Sequence, residues 1–291
     1  MTSADDLTIR PLTLADLTAC LDLAEANDWS REEHRWRLML ASGQGYGIDA
    51  PPTDPEGGLL AAVVRTSYAH QLHAVGMMLV ARRRQRQGLG QRMMRRVIED
   101  AAGAPLLLTA TGQGRGLYER LGFKALGEII TLVGTFTAPP PEPATTAPVL
   151  VRPATAADLP EILAYDLPAF GADRTELLTR LPSYAERFLV ARDRAGRLVG
   201  YGAAWPNVTT TSVGPLVADD LAVARALLTP LALDTPLPAR VDVSDLHPEL
   251  ATWLAARGLT GDGRTTLMVH GLAAAPGDPA RRFAPFSMAH G

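Results

Sequence analysis

The residues best placed to do chemistry lie in the stretch VARRRQRQGLGQ, residues 80–91, where an apolar run gives way to arginines and glutamines and then to Gly88-Leu89-Gly90. Two chemistries fit such a stretch. Arg82, Arg83, Arg84, Arg86, Arg92, Arg95 and Arg96 are dense enough to grip a nucleic-acid backbone. Against that, Leu89, Met93, Val97 and Ala101 recur every fourth residue, as on the buried face of a helix. Arg92, Arg95 and Arg96 then point to solvent, with Arg95–Glu99 and Arg96–Asp100 as i,i+4 ion pairs. No aromatic residue is interleaved to stack bases. The alternative places the ligand on the backbone. A helix N-terminus presents unpaired N–H groups and a partial positive charge, which suit a phosphate or pyrophosphate. Glycines there let the chain approach without a Cβ in the way. No Lys-Ser/Thr pair follows the glycines, and Met93 stands where a dinucleotide-binding loop needs its third glycine. The backbone reading is preferred, for a ligand other than a P-loop or Rossmann nucleotide.

Bulk properties agree. The 291 residues carry a formal net charge of -3, so the molecule as a whole is not built to bind a polyanion. Cys20 is alone, which excludes a disulfide framework and a cysteine metal site, and no metal is expected. The acidic start lacks the apolar core of a secretory signal, and no apolar run reaches the ~18 residues of a membrane span. A cytoplasmic protein is expected, a monomer or homodimer, with neither nucleic acid nor membrane as partner.

The elements that must position the glycine loop are set out by an internal echo. Residues 8–17, TIRPLTLADL, return as LVRPATAADL at 150–159. In each copy a short strand ends at Arg-Pro, and a threonine then caps a helix with acid in its first turn. Five prolines among residues 137–148 indicate a stiff, extended connection. The division is therefore 1–137, a Pro-rich linker at 138–148, a second domain at 149–272 and an irregular tail at 273–291. The first copy reads β, α, α, β, β, α, β, α, β, with helix two opened by a Ser30/Glu33 capping box and strands at 59–65 and 72–80. The fold class is α/β, with a mixed α+β sheet in each half.

With these elements in place, the loop resembles the acyl-CoA loop of the GNAT superfamily of N-acetyltransferases, Gln/Arg-x-x-Gly-x-Gly/Ala behind a strand-end valine. Val80, Gln85, Gly88 and Gly90 fall on its positions, while Arg86 stands where many members have another glycine. ATGQGRGLYERLGF, residues 110–123, is similar to the family's segment ending in Leu-Tyr-x-x-x-Gly-Phe. The resemblance implies two tandem GNAT-like domains and direct acetyl transfer from acetyl-CoA, the cosubstrate, to a small amine. An acyl-CoA sensor without turnover, or a transferase for a longer acyl chain, are the alternatives. It further implies that the backbone of Gln85, Arg86, Gln87, Gly88, Leu89, Gly90 and Gln91 holds the pyrophosphate, with Thr111 and Gly114 nearby. Met78, Leu79 and Val80 would pair with the pantetheine arm like an added strand. Tyr118 would be the general acid that protonates the departing thiolate. The general base is not identified: His34, Glu33, His70 and His73 belong to no motif. Trp29 is a candidate wall of the acceptor pocket.

The second copy puts Leu254 where the first has Tyr118, and Asp219 and Asp220 where a pyrophosphate would sit, so its acyl-CoA site is expected to be lost. DLPAFGADRTELL, residues 166–178, resembles a second-domain motif of tandem GNAT proteins. From it Asp166 and Asp173 are the candidate carboxylates for the substrate ammonium, supplied to the first copy's acceptor site.

Overall fold

The echoed segment folds the same way twice. In the computed structural model, which describes residues 7–138 and 149–291, Arg10 Nη2 lies 2.8 Å from Asp16 Oδ1 and Arg152 Nη2 lies 2.7 Å from Asp158 Oδ1. The Thr13 and Thr155 N–H groups donate to the second carboxylate oxygen, each at 2.8 Å. In both copies the aspartate thus caps the chain behind it and pairs with the arginine of the preceding strand.

The first copy runs β1 (Ile9–Leu12), α1 (Leu17–Glu25), α2 (Glu33–Ser42), β2 (Gly43–Asp49), β3 (Leu59–Tyr68), β4 (Leu72–Val80), α3 (Leu89–Asp100), β5 (Leu106–Ala110), α4 (Gly112–Arg120) and β6 (Lys124–Gly134). The second runs β7 (Leu150–Pro153), α5 (Leu159–Phe170), α6 (Thr175–Leu178), α7 (Leu181–Tyr184), β8 (Arg187–Arg192), β9 (Leu198–Pro206) and β10 (Thr211–Ala218). It continues through α8 (Leu221–Ala232), β11 (Ala239–Ser244), α9 (Pro248–Ala255), β12 (Leu259–His270) and β13 (Arg282–Ala284).

These strands form one mixed sheet in the order β1-β2-β3-β4-β5-β12-β6-β11-β10-β9-β8-β7, with β13 beside β10. Each copy completes its sheet with a strand of the other. β12 lies between β5 and β6, with Thr266 opposite Ala110, and β6 pairs with β11, with Val133 opposite Arg240. The sheet is therefore not divided at the expected boundary, because residues 1–137 lack the strand that covers β5. Gly134 marks the exchange: a Cβ there would stand 1.9 Å from the Gly258 carbonyl oxygen. A third buried cluster, with Leu38, Tyr68, Phe170, Tyr201 and Phe286, packs side chains of both copies together.

Three expectations need correction. β2, GQGYGID, is absent from the sequence reading because glycine weakens a strand. Its glycines are required by packing, since a Cβ at Gly47 would meet Leu12 Cδ2 at 2.5 Å. Helix α2 has no Ser30/Glu33 capping box; it begins at Glu33, with Glu32 at the cap position and no side-chain cap bond. Nor is the 273–291 tail irregular throughout. It forms a 3₁₀ turn at Pro279–Arg281 and then β13, antiparallel to β10, and buries Phe283, Phe286 and Ala289. Its order comes from the sheet edge it joins rather than from local propensity. The Pro-rich linker lies, apart from Ala138, outside the described residues.

Candidate active site

The site starts from a fault in β4. Its parallel pairing with β5 covers only His73–Val75 against Leu106–Leu108. On the other side its register with β3 shifts between Ala62 and Val64, and Met77 adopts φ +55°. Such a bulge leaves backbone groups unpaired and bends the strand. Beside this edge opens a cavity of about 990 Å³. Its walls include Met78, Leu79 and Val80 of β4, the loop residues Gln85, Arg86, Gly88, Leu89, Gly90 and Gln91, and Thr111, Gly114 and Tyr118. Trp29 also lines it. Gln87 does not: it is exposed, and its side-chain amide folds back onto the Arg83 carbonyl at 3.1 Å.

The loop is held by its own charges. Arg82 pairs with Asp28, and Arg83 donates to Asp54 at 3.2 Å and to Glu56 at 3.0 Å. The Gln85 amide bridges Asn27 Oδ1 at 3.2 Å and the Val80 carbonyl at 3.3 Å. These partners aim the chain at the start of α3. Gly88 caps that helix with φ +86°, and a Cβ there would meet nothing within 4 Å, so the constraint is the backbone angle and not space. An alanine in this left-handed conformation costs about 1–2 kcal/mol. Gly88→Ala should therefore raise the acetyl-CoA Kd roughly 5- to 30-fold if the loop relaxes to escape the strain. Titration calorimetry with acetyl-CoA on wild type and variant checks this.

Tyr118 lies on α4 against Phe123, ring centroids 5.9 Å apart. A Cβ at Gly114 would stand 3.0 Å from the Tyr118 ring, so the glycine makes room for it. Burial pushes its hydroxyl up to about pKa 12, and among the described residues that hydroxyl has no hydrogen-bond partner. It stays protonated at neutral pH and has a proton to donate to a ligand atom.

The two aspartates are not in this cavity. Asp166 is 1% exposed and locked between Arg174, at 2.6 and 2.9 Å, and the Tyr201 hydroxyl at 2.6 Å. With each oxygen engaged and no solvent access, it cannot receive a substrate ammonium. Asp173 is exposed, accepts the Thr175 N–H at 2.8 Å, and does not line the cavity. The second copy instead contributes Arg240, Thr265, Met288 and Ala289. Ala289 packs on the bulge of β4, where a Gly76 Cβ would be 2.5 Å from its Cβ. No local signal in the tail pointed there.

None of the four base candidates lines the cavity either. His34 Nε2 lies 2.9 Å from the Tyr184 carbonyl oxygen, Glu33 pairs with Arg37, and His70 is exposed at the β3–β4 turn. His73 is buried and pushed down to about pKa 4 by desolvation, so it is neutral. Glu32, which the sequence reading passed over, does line it, with Ser30 and Arg35. Among the described residues, no group of three or more His, Cys, Asp or Glu side chains is arranged to hold a metal ion.

In the second copy the corresponding space is filled by the chain itself. β13 pairs with β10 along the edge that β4 leaves open in the first copy. A Cβ at Gly214 would stand 2.2 Å from the Pro285 carbonyl oxygen. Asp220 caps α8 through the Val223 N–H at 2.9 Å, and Asp219 holds Arg281 of the tail at 3.0 Å. These acids anchor helix and tail, and Leu254 is a core residue.

Both copies resemble known proteins. Residues 54–125 match one acetyltransferase (GNAT) domain family, and residues 162–284 match a second, also described as an acetyltransferase (GNAT) domain. The chain is 27% identical over 239 residues to YitH of Bacillus subtilis (strain 168), described as an uncharacterized N-acetyltransferase, covering 82% of each. In fold it is similar to a candidate acetyltransferase from Pyrococcus horikoshii, with TM-score 0.78 and 19% identity over 98% of this chain and 96% of that one. It is also similar to a tandem GNAT protein from the clavulanic acid biosynthesis pathway, with TM-score 0.62 and 14% identity over 91% and 98%. The two matches place both copies in the acetyltransferase (GNAT) family. The chain is a tandem-GNAT N-acetyltransferase.

Proposed function

We propose that the first copy transfers an acetyl group from acetyl-CoA directly to the amine of a small acceptor. The observation that carries this is the convergence, on one cavity, of a glycine-opened helix N-terminus, a bulged strand edge and an unpartnered tyrosine hydroxyl. The three match the three parts of a CoA thioester. Backbone N–H groups at the start of α3 suit the pyrophosphate. The free edge of β4 at Met78–Val80 suits the amides of the pantetheine arm. Tyr118 suits the sulfur, as a hydrogen-bond donor held away from water.

The elevated pKa of Tyr118 constrains its role. Burial makes the Tyr118 phenol a weaker acid than a free one, and a weaker acid than a free thiol. Proton transfer to the thiolate is therefore favoured when the acylated nitrogen returns a proton to the resulting phenolate. Tyr118 is thus a relay between leaving sulfur and attacking nitrogen.

Calorimetry with acetyl-CoA, together with thiol release in the presence of spermidine, glucosamine, L-lysine or kanamycin, tests the reading. Binding with turnover supports it. Binding without turnover on any amine, with acetyl-CoA or a longer acyl-CoA, would make the protein a sensor, and absence of binding would remove both readings.

A further inference from the structure

We propose that Glu32 takes the proton from the acceptor's ammonium group, and that Asn207 of the second copy holds the Glu32 carboxylate in position; the inference rests on the acyl-transfer reading above. Among the described residues that line the cavity, Glu32 is the sole carboxylate. An amine that arrives protonated must lose a proton before its lone pair can attack, and the described residues that line the cavity include no histidine for the purpose.

The carboxylate is fixed from both sides. One oxygen faces Arg35, one turn along α2, and the other accepts the Asn207 side-chain N–H at 2.5 Å. Its side chain is only 11% exposed. An ionised carboxylate has about four lone-pair sites, so these two contacts leave sites for a substrate N–H or one bridging water. Asn207 is itself braced in the β9–β10 turn, where its N–H donates to the Thr210 carbonyl and its side-chain oxygen accepts the Val208 N–H, each at 2.8 Å. A residue of the second copy therefore reaches across to aim an acid on the first. The other titratable groups around the pair are Tyr184 of α7, which burial keeps protonated, His34 stacked on it at 4.0 Å, and His290 of the tail, which faces Arg35 and which burial keeps neutral. Tyr184 and His290 are thus uncharged neighbours of the pair.

The protons balance. The ammonium gives one to Glu32, which passes it to solvent. The nitrogen lone pair forms the C–N bond to the acyl carbon as the C–S bond breaks. Tyr118 protonates the sulfur and recovers its proton from the nitrogen, so amide, thiol and one free proton result.

The test is the pH dependence of the full-length chain with the four amines named above. Glu32→Gln should lower kcat/KM at pH 7 by roughly 10²–10⁴-fold. The loss should shrink about tenfold per pH unit toward the amine's own pKa, because free amine then needs no base. The acetyl-CoA Kd should not change. Asn207→Ala should reproduce part of that loss, lowering kcat/KM about tenfold at pH 7 and less toward the amine's pKa with the acetyl-CoA Kd unchanged, a pattern that a general folding defect would not produce. A Glu32→Gln loss that is the same at pH 7 and pH 9.5, or no loss, overturns the role of Glu32. Unchanged kinetics in Asn207→Ala overturns the contribution of the second copy. A wild-type chain that neither binds acetyl-CoA nor releases thiol overturns the acyl-transfer reading itself, and this inference with it.

Discussion

Tyr118→Phe should leave acetyl-CoA binding within a factor of about two of wild type while lowering turnover roughly 10²–10⁴-fold, the usual scale for loss of a general acid. The substitution removes one oxygen and keeps the ring that packs on Gly114 and Phe123, so the cavity wall stays in place. Affinity is carried by the α3 N-terminus and the β4 edge, which the change does not touch. The pH profile separates this role from a structural one. With its pKa raised to about 12, Tyr118 remains protonated throughout pH 6–10 and should contribute no alkaline limb in that range. Steady-state kinetics in wild type and variant, with calorimetric acetyl-CoA affinities, measure both effects. Turnover within about twofold of wild type would mean that water or another group protonates the sulfur.

The parts of this site that were legible in the sequence are those set by local backbone demands. Gly88 announces a helix start because its demand is a left-handed backbone angle that needs no distant partner. Tyr118 and Gly114 lie within one turn of each other, so a short segment carries both. The echoed Arg-Pro-x-Thr segments were legible for the same reason, each making its ion pair and cap within a few residues. What the sequence did not disclose depends on pairing between remote segments. The pattern of β12 marks a strand, but nothing in it says that its neighbours are β5 and β6 of the other copy. The tail reads as Ala/Pro/Gly-rich coil, yet it fills the β10 cleft and reaches Gly76. Glu32 shared the α2 start with Glu33 and His34, and only the fold shows which of the three enters the cavity.

Asp166 illustrates the opposite failure, a charged residue whose role is buried rather than open to substrate. Its carboxylate closes an ion pair with Arg174, which is 3% exposed and stacked on the Phe170 ring at 4.0 Å. The same carboxylate opposes the charge of Arg282, which burial and the neighbouring Arg174 push down to about pKa 10. Removing it leaves two guanidinium groups in a region with little water, at the junction of α5, α6 and the tail. Breaking such a pair from one side costs roughly 3–5 kcal/mol. For a chain of this size that is a fall in Tm of about 6–20 °C. Asp166→Asn should therefore unfold early in calorimetry, while its folded fraction keeps the wild-type amine KM. Asp173→Asn is the control: its amide oxygen can still accept the exposed Thr175 N–H, and the change should cost about 1 kcal/mol or less. A raised amine KM without lost stability in Asp166→Asn would show that this carboxylate does reach substrate. A large loss of stability at unchanged KM fixes it as the support beneath the tail, which carries Met288 and Ala289 into the first copy's cavity.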